Sequence, residues 1–106
     1  MQFRILYIRN EELRDRFIDF DESISVDRRY LRSLYEDFNY NCRKSEVQLV
    51  AMIPIIEGEP STECYITCAF RYFKDFDLVV WLTEVFNNYE IIFRNDRFHR
   101  FKGRKK

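Results

Sequence analysis

The longest unbroken apolar run in the chain, Leu49 to Ile56, is eight residues long and contains a proline. A membrane-spanning helix needs about 20 apolar residues, so the run belongs to a packed interior. Over residues 46–57, Val47, Leu49, Ala51, Ile53 and Ile55 recur at every second position and fall on one face of a strand. Pro54 has no N–H to give a ladder, which predicts an edge strand or a bulge. Glu57-Gly58-Glu59-Pro60 reads as a turn, and the aromatic, β-branched stretch 62–73 as the second arm of a hairpin.

Residues 2–9 alternate, with Phe3, Ile5 and Tyr7 on one face and Leu6 and Ile8 on the other, which predicts a first strand. Asn10 then reads as a helix N-cap, with Glu11 and Glu12 in a first turn that favours acids. Leu13 and Phe17 supply the stripe of that helix. A second helix is expected over 26–39, because Leu31, Leu34, Tyr35 and Phe38 share one face, and Asn39-Tyr40-Asn41 should end it. Leu78, Trp81, Leu82, Val85 and Phe86 keep helical spacing after Asp77 and predict a helix over 77–88. Residues 89–94 read as a last strand, and 97–101 as a short extra one.

The order β-α(α)-β-β-α-β predicts an α+β domain over residues 1–101, a ferredoxin-like split β-α-β sandwich with both helices on one face of an antiparallel sheet. Residues 102–106 are expected to form a flexible basic C-terminal tail. A chain of 106 residues buries about two-thirds of its unfolded surface, which suffices for a core without a disulfide or metal. Exposed sheet edges near 47–57 and beyond Tyr89 offer a route to a homodimer. Arg4 and Arg9 interrupt the apolar stretch at the N-terminus and Glu11-Glu12 follow it, unlike a secretory signal. With three cysteines in no framework spacing, the expectation is reduced thiols, a cytoplasmic location and no membrane partner.

Most catalytic chemistries find no support. The two glycines, Gly58 and Gly103, are too few for a glycine-rich phosphate cradle or a dinucleotide fingerprint, and no cofactor is implied. The single histidine, His99, stands among Arg97, Arg100 and Lys102, which oppose its protonation and repel metal cations. Cys64 and Cys68 on one strand lie about 13 Å apart, too far for one zinc ion or a disulfide. Asp19, Asp21 and Glu22, with Asp75 and Asp77, leave a metal-dependent nuclease as a minor reading. That reading requires the two clusters to converge on ions about 4 Å apart.

The charge is neutral overall and strongly segregated. Residues 1–93 hold 11 basic and 17 acidic side chains, a net of −6, and residues 94–106 hold seven basic and one acidic, a net of +6. In that C-terminal stretch cations alternate with Phe93, Phe98 and Phe101. Cations neutralise phosphates and aromatic rings stack bases, which nominates Arg94, Arg97, Arg100, Lys102, Arg104 and Lys105 for nucleic-acid or partner binding.

Leu6-Tyr7-Ile8-Arg9-Asn10 resembles the first-strand motif of RNA-recognition motif domains. The resemblance spans five residues and implies that Tyr7 faces outward and stacks a base. The matching third-strand motif should carry a basic-Gly-aromatic run. Residues 64–73 lack its glycine, though Tyr65 and Arg71 stand on that strand as further candidates. The leading expectation is a small non-enzymatic binding or regulatory protein that contacts RNA. The alternative is a protein–protein inhibitor or adaptor, such as a phage-type protein that blocks a host defence or nucleic-acid-processing enzyme. Tyr and Arg suit such an interface.

Overall fold

The structure is a computed structural model that describes residues 1–20, 27–66, 78–87, 89–93 and 101–105, with backbone alone at 78–79, 89–93 and 101–105. The elements are β1 (Gln2–Arg9), β2 (Glu12–Asp19), α1 (Arg28–Lys44), β3 (Gln48–Ile56), β4 (Glu59–Pro60), β5 (Tyr65–Ile66), α2 (Leu78–Val85), β6 (Tyr89–Phe93) and β7 (Phe101–Lys105). They form a small α+β domain. One antiparallel sheet runs in the order β2-β1-β3-β4, with β5 also on β3, and β6 pairs with β7 in a second. The ferredoxin-like order is matched only in part: the segment expected as the first helix is strand β2, and β1 and β3 are antiparallel neighbours.

Residues 12–19 form a strand, a correction to the helix expected there. Asn10 and Glu11 both have positive φ, 52° and 64°, and Arg9 faces Glu12 across a two-residue turn. Two consecutive left-handed residues make the type I′ turn whose twist suits a hairpin. Asn10 tolerates that conformation, so the residue read as a cap is a turn residue. The four-residue spacing of Leu13 and Phe17 fits one face of a strand as well as one face of a helix.

The helix over 26–39 is present as α1 and runs further, to Lys44. Asp27 caps it by accepting from Arg29 N–H at 2.7 Å. Leu31 and Tyr35 are buried, and Leu34, Phe38 and Cys42 extend the same stripe. The end is a Schellman closure, in which Glu46 N–H donates to Arg43 C=O at 3.1 Å and Val47 N–H donates to Cys42 C=O at 2.8 Å. The closure requires a left-handed residue, usually glycine. Here it is Glu46, at φ 58°, where an L side chain costs about 1–2 kcal/mol. The helix expected over 77–88 is α2.

The two helices pack on opposite faces of the main sheet, not on one. Phe3, Ile5, Leu49 and Met52 pack with α1 residues Leu31 and Tyr35. Leu6, Ile8, Val50, Ala51 and Ile53 pack with Trp81, Leu82, Val85 and Phe86 of α2 and the residue after it. A bulge lets both Val50 and Ala51 serve the α2 side, since Leu6 pairs with Ala51 and Tyr7 with Leu49.

β3 is an interior strand, a second correction: β1 pairs along one side, and β4 and β5 along the other. Pro54 is tolerated because its C=O, and with it the position of the missing N–H, points to the β4–β5 side. There it accepts from Ser61 N–H at 2.8 Å, at the break in pairing between Pro60 and Tyr65. The edge near 47–57 proposed for dimer formation is therefore already occupied. Glu57 (φ 52°) and Gly58 (φ 80°) make a second two-residue turn of the β1–β2 kind. Of the strand expected over 62–73, Tyr65–Ile66 is β5 and 67–73 lies outside the described residues. Of the extra strand over 97–101, 97–100 does. Residues 102–105, assigned to a flexible tail from sequence, stand in β7.

Glu11 occupies the second turn position, where glycine is free of the Cβ clash. Glu11→Gly should raise stability by about 0.5–1 kcal/mol, because relief of left-handed strain exceeds the added freedom of the unfolded chain. Urea unfolding would read this as a higher midpoint at unchanged slope.

Candidate functional site

Two places in the fold gather polar chemistry. The first lies on the α2 face of the β1–β2 hairpin. Leu6 pairs with Asp15 and Arg4 with Phe17, so Arg4 and Asp15 are diagonal neighbours on one face. Arg4 Nε and Nη2 donate to the two Asp15 carboxylate oxygens at 3.2 and 2.8 Å. Trp81 Nε1 reaches across from α2 and donates to the same carboxylate at 3.0 Å. The Arg4 guanidinium lies 5.4 Å from the ring centroids of both Phe17 and Trp81, within range of cation–π attraction.

This cluster satisfies itself. Burial pushes the Asp15 carboxyl up, but hydrogen bonds from Arg4 and Trp81, with the charge of Arg4, outweigh it and hold the group below its ordinary value. The Asp15 hydrogen bond raises Arg4 in turn, against the opposing effect of its burial. A carboxylate held ionised by two donors is poorly suited to proton transfer at neutral pH. Its role is to clamp α2 to the hairpin.

The second place is a cavity of about 320 Å³ between the C-terminal end of α1 and the start of β3. Asn39, Arg43, Glu46, Val47, Gln48, Leu49 and Tyr65 line it. The Schellman closure positions Glu46, and β5 positions Tyr65 opposite Met52. Tyr65 is half-buried, its ring 6.2 Å from that of Tyr35. Neither Arg43 nor Glu46 forms an ion pair with another described residue.

Those of the nominated residues that lie among the described ones are split between the main sheet and β7. Tyr7 and Tyr65 lie on the sheet face that α1 covers, half-buried against its core, so neither stands on an open sheet. Lys102, Arg104 and Lys105 are on β7, where they face Ile92, Glu90 and Tyr89 of β6 in register. Arg71, Arg94, Arg97 and Arg100 lie outside the described residues, as do His99, Cys68, Asp21, Glu22, Asp75 and Asp77. Asp19 ends β2 and lies 3.5 Å from the N-terminal ammonium. Among the described residues no group of three His, Cys, Asp or Glu side chains is placed to hold a metal. Burial, with the charge of Glu63, pushes the Cys64 thiol up to about 12. It is protonated at neutral pH and poor as a nucleophile. Among the described residues no helix is long and apolar enough to cross a membrane.

Sequence reasoning missed the cavity because its walls come from residues 39–49 and from Tyr65, which only the fold brings together. The one local signal was an acid just past a helix C-terminus, where the helix dipole disfavours it. No protein-family model matches the sequence, and no curated protein or solved structure matches the chain.

The Asp15 clamp has a pH signature. Its lowered folded-state value means that it stabilises the fold above the ordinary carboxylate value, and that this stabilisation is lost as pH falls through the folded one. Asp15→Asn should lower stability at pH 7 and lose less than the parent on acidification below about pH 4. Trp81→Phe keeps the ring and should cost about 1–2 kcal/mol. Urea midpoints measured from pH 2 to 7 would show both effects.

Proposed function

We propose that the protein is a small non-enzymatic binding protein that contacts RNA through its basic C-terminal segment. One observation carries this reading. Seven cations fall in the last 13 residues of a chain whose remainder is net negative, and three of them, Lys102, Arg104 and Lys105, stand on a strand paired with β6. A paired strand holds its cations at fixed spacing, and fixed cations lose less entropy on meeting a phosphate backbone than cations on a loose tail. The acidic remainder confines phosphate contact to that segment.

Base stacking by Tyr7 on an open sheet no longer contributes, because α1 covers that face. The charge distribution remains. A second reading, a protein–protein adaptor, is favoured by β2. Its eight residues pair only with β1 among the described strands, and Phe17 on it is 57% exposed. An exposed strand edge can take an added strand from a partner.

Salt dependence separates the two. A Lys102→Gln, Arg104→Gln, Lys105→Gln triple variant keeps the strand and removes three charges. For single-stranded RNA followed by fluorescence anisotropy, the slope of log affinity against log salt should become shallower by roughly 2 units, taking about 0.7 per phosphate contact. No RNA binding at 50 mM salt, or an unchanged slope in the variant, would overturn the RNA reading. A nuclease-resistant partner lost on Phe17→Ser would support the adaptor.

A further inference from the structure

We propose that the cavity at the end of α1 binds a guanine nucleotide, at a site separate from the basic C-terminal segment. Its volume, about 320 Å³, is at the small end of ligand pockets and fits one small molecule. Its lining residues carry four kinds of recognition group: a phenol ring on Tyr65, a guanidinium on the exposed Arg43, a carboxylate on the exposed Glu46, and side-chain amides on Asn39 and Gln48. Flat heteroaromatic bases are taken up by stacking on an aromatic ring and by hydrogen bonds to their edges. Arginine suits a phosphate because its N–H groups form a fork that matches the oxygens.

Glu46 selects among the bases. A carboxylate only accepts, and its two oxygens accept two parallel N–H bonds best. Guanine offers two adjacent donors on one edge, N1–H and the N2 amino group. Adenine and cytosine place an acceptor beside their amino donor, which a carboxylate repels. Uracil offers a single N–H between two carbonyls.

Two features make Glu46 an unexpected residue for a purely structural position. It adopts φ 58°, where the closure favours glycine. It also adds negative charge at the negative end of the α1 dipole. Strain of this kind is often kept where a side chain has a task. The closing hydrogen bonds at Arg43 and Cys42 hold its backbone in place, which fixes the point from which the carboxylate extends. The Arg43 and Glu46 charges, without ion pairs among the described residues, line one cavity and match the anionic and donor ends of one ligand.

Isothermal titration calorimetry of the full chain with GMP, AMP, CMP and UMP tests this. GMP should bind about ten- to a hundredfold more tightly than AMP, the range for a bidentate contact to a base edge. Glu46→Gln should abolish that preference while leaving the melting curve in place. Arg43→Ala should weaken GMP but leave guanosine unchanged. Equal affinity for GMP and AMP, no binding of any of the four at 5 mM, or a preference that survives Glu46→Gln would overturn the proposal. The Lys102, Arg104, Lys105 triple variant should keep the GMP preference. If that preference holds while RNA binding fails, the RNA reading alone falls. If RNA binds and GMP does not, the cavity proposal alone falls.

Discussion

The β1–β3 pairing organises everything else. The two strands lie side by side in the middle of the sheet and are buried on both faces, with Phe3, Ile5, Leu6, Leu49, Val50, Ala51, Met52 and Ile53 each at most 2% exposed. Each of these side chains except Ala51, taken from water, contributes about 1.5–3 kcal/mol. Among the described residues no other pair of elements contributes to both hydrophobic clusters so evenly. α1 has an interior only because odd positions of β1 face it, and α2 only because even positions do. The Val50 bulge is the adjustment that lets β3 meet both demands at once.

The polar features sit at the margins of that core and inherit their positions from it. The Arg4–Asp15–Trp81 cluster lies where the hairpin edge meets α2. There three hydrogen bonds to one carboxylate offset its partial burial, and two rings flank the cation. The cavity lies where α1 stops and the chain turns back into β3. A Schellman closure is a compact way to make that reversal, and it places Glu46, Val47 and Gln48 in succession along one wall. The opposing wall, Tyr65, comes from a strand whose register is fixed by pairing with Met52. Neither feature exists in the unfolded chain as a local motif.

Much of the fold was legible in the sequence. The stripe Leu31, Leu34, Tyr35 and Phe38 and the spacing from Leu78 to Phe86 each mark a helix, because a 3.6-residue period is incompatible with a strand over that length. Glu57-Gly58 marks a turn because glycine adopts positive φ without a Cβ clash. The site was much less legible. Tyr65 could be nominated as an aromatic on a strand, but Asn39, Arg43, Glu46 and Gln48 are ordinary polar residues on a helix end, a turn and the first position of β3. Only their convergence on one cavity distinguishes them, and convergence has no signature at short range.

The sequence by itself determined the local periods, the turn at Gly58 and the segregation of positive charge into the last 13 residues, because each depends on residues near one another in the chain. Tertiary structure decided what those periods could not. Leu13 and Phe17, four apart, share a face of either a helix or a strand. The strand prevails because residues 12–19 pair with β1 along one of its edges. Pro54 is equally ambiguous alone. It reads as an edge marker until β3 gains neighbours on both sides and its missing donor falls opposite the break between β4 and β5. The choice of opposite sheet faces for α1 and α2 follows from strands apolar on both faces, which one layer of helices would leave half exposed to water.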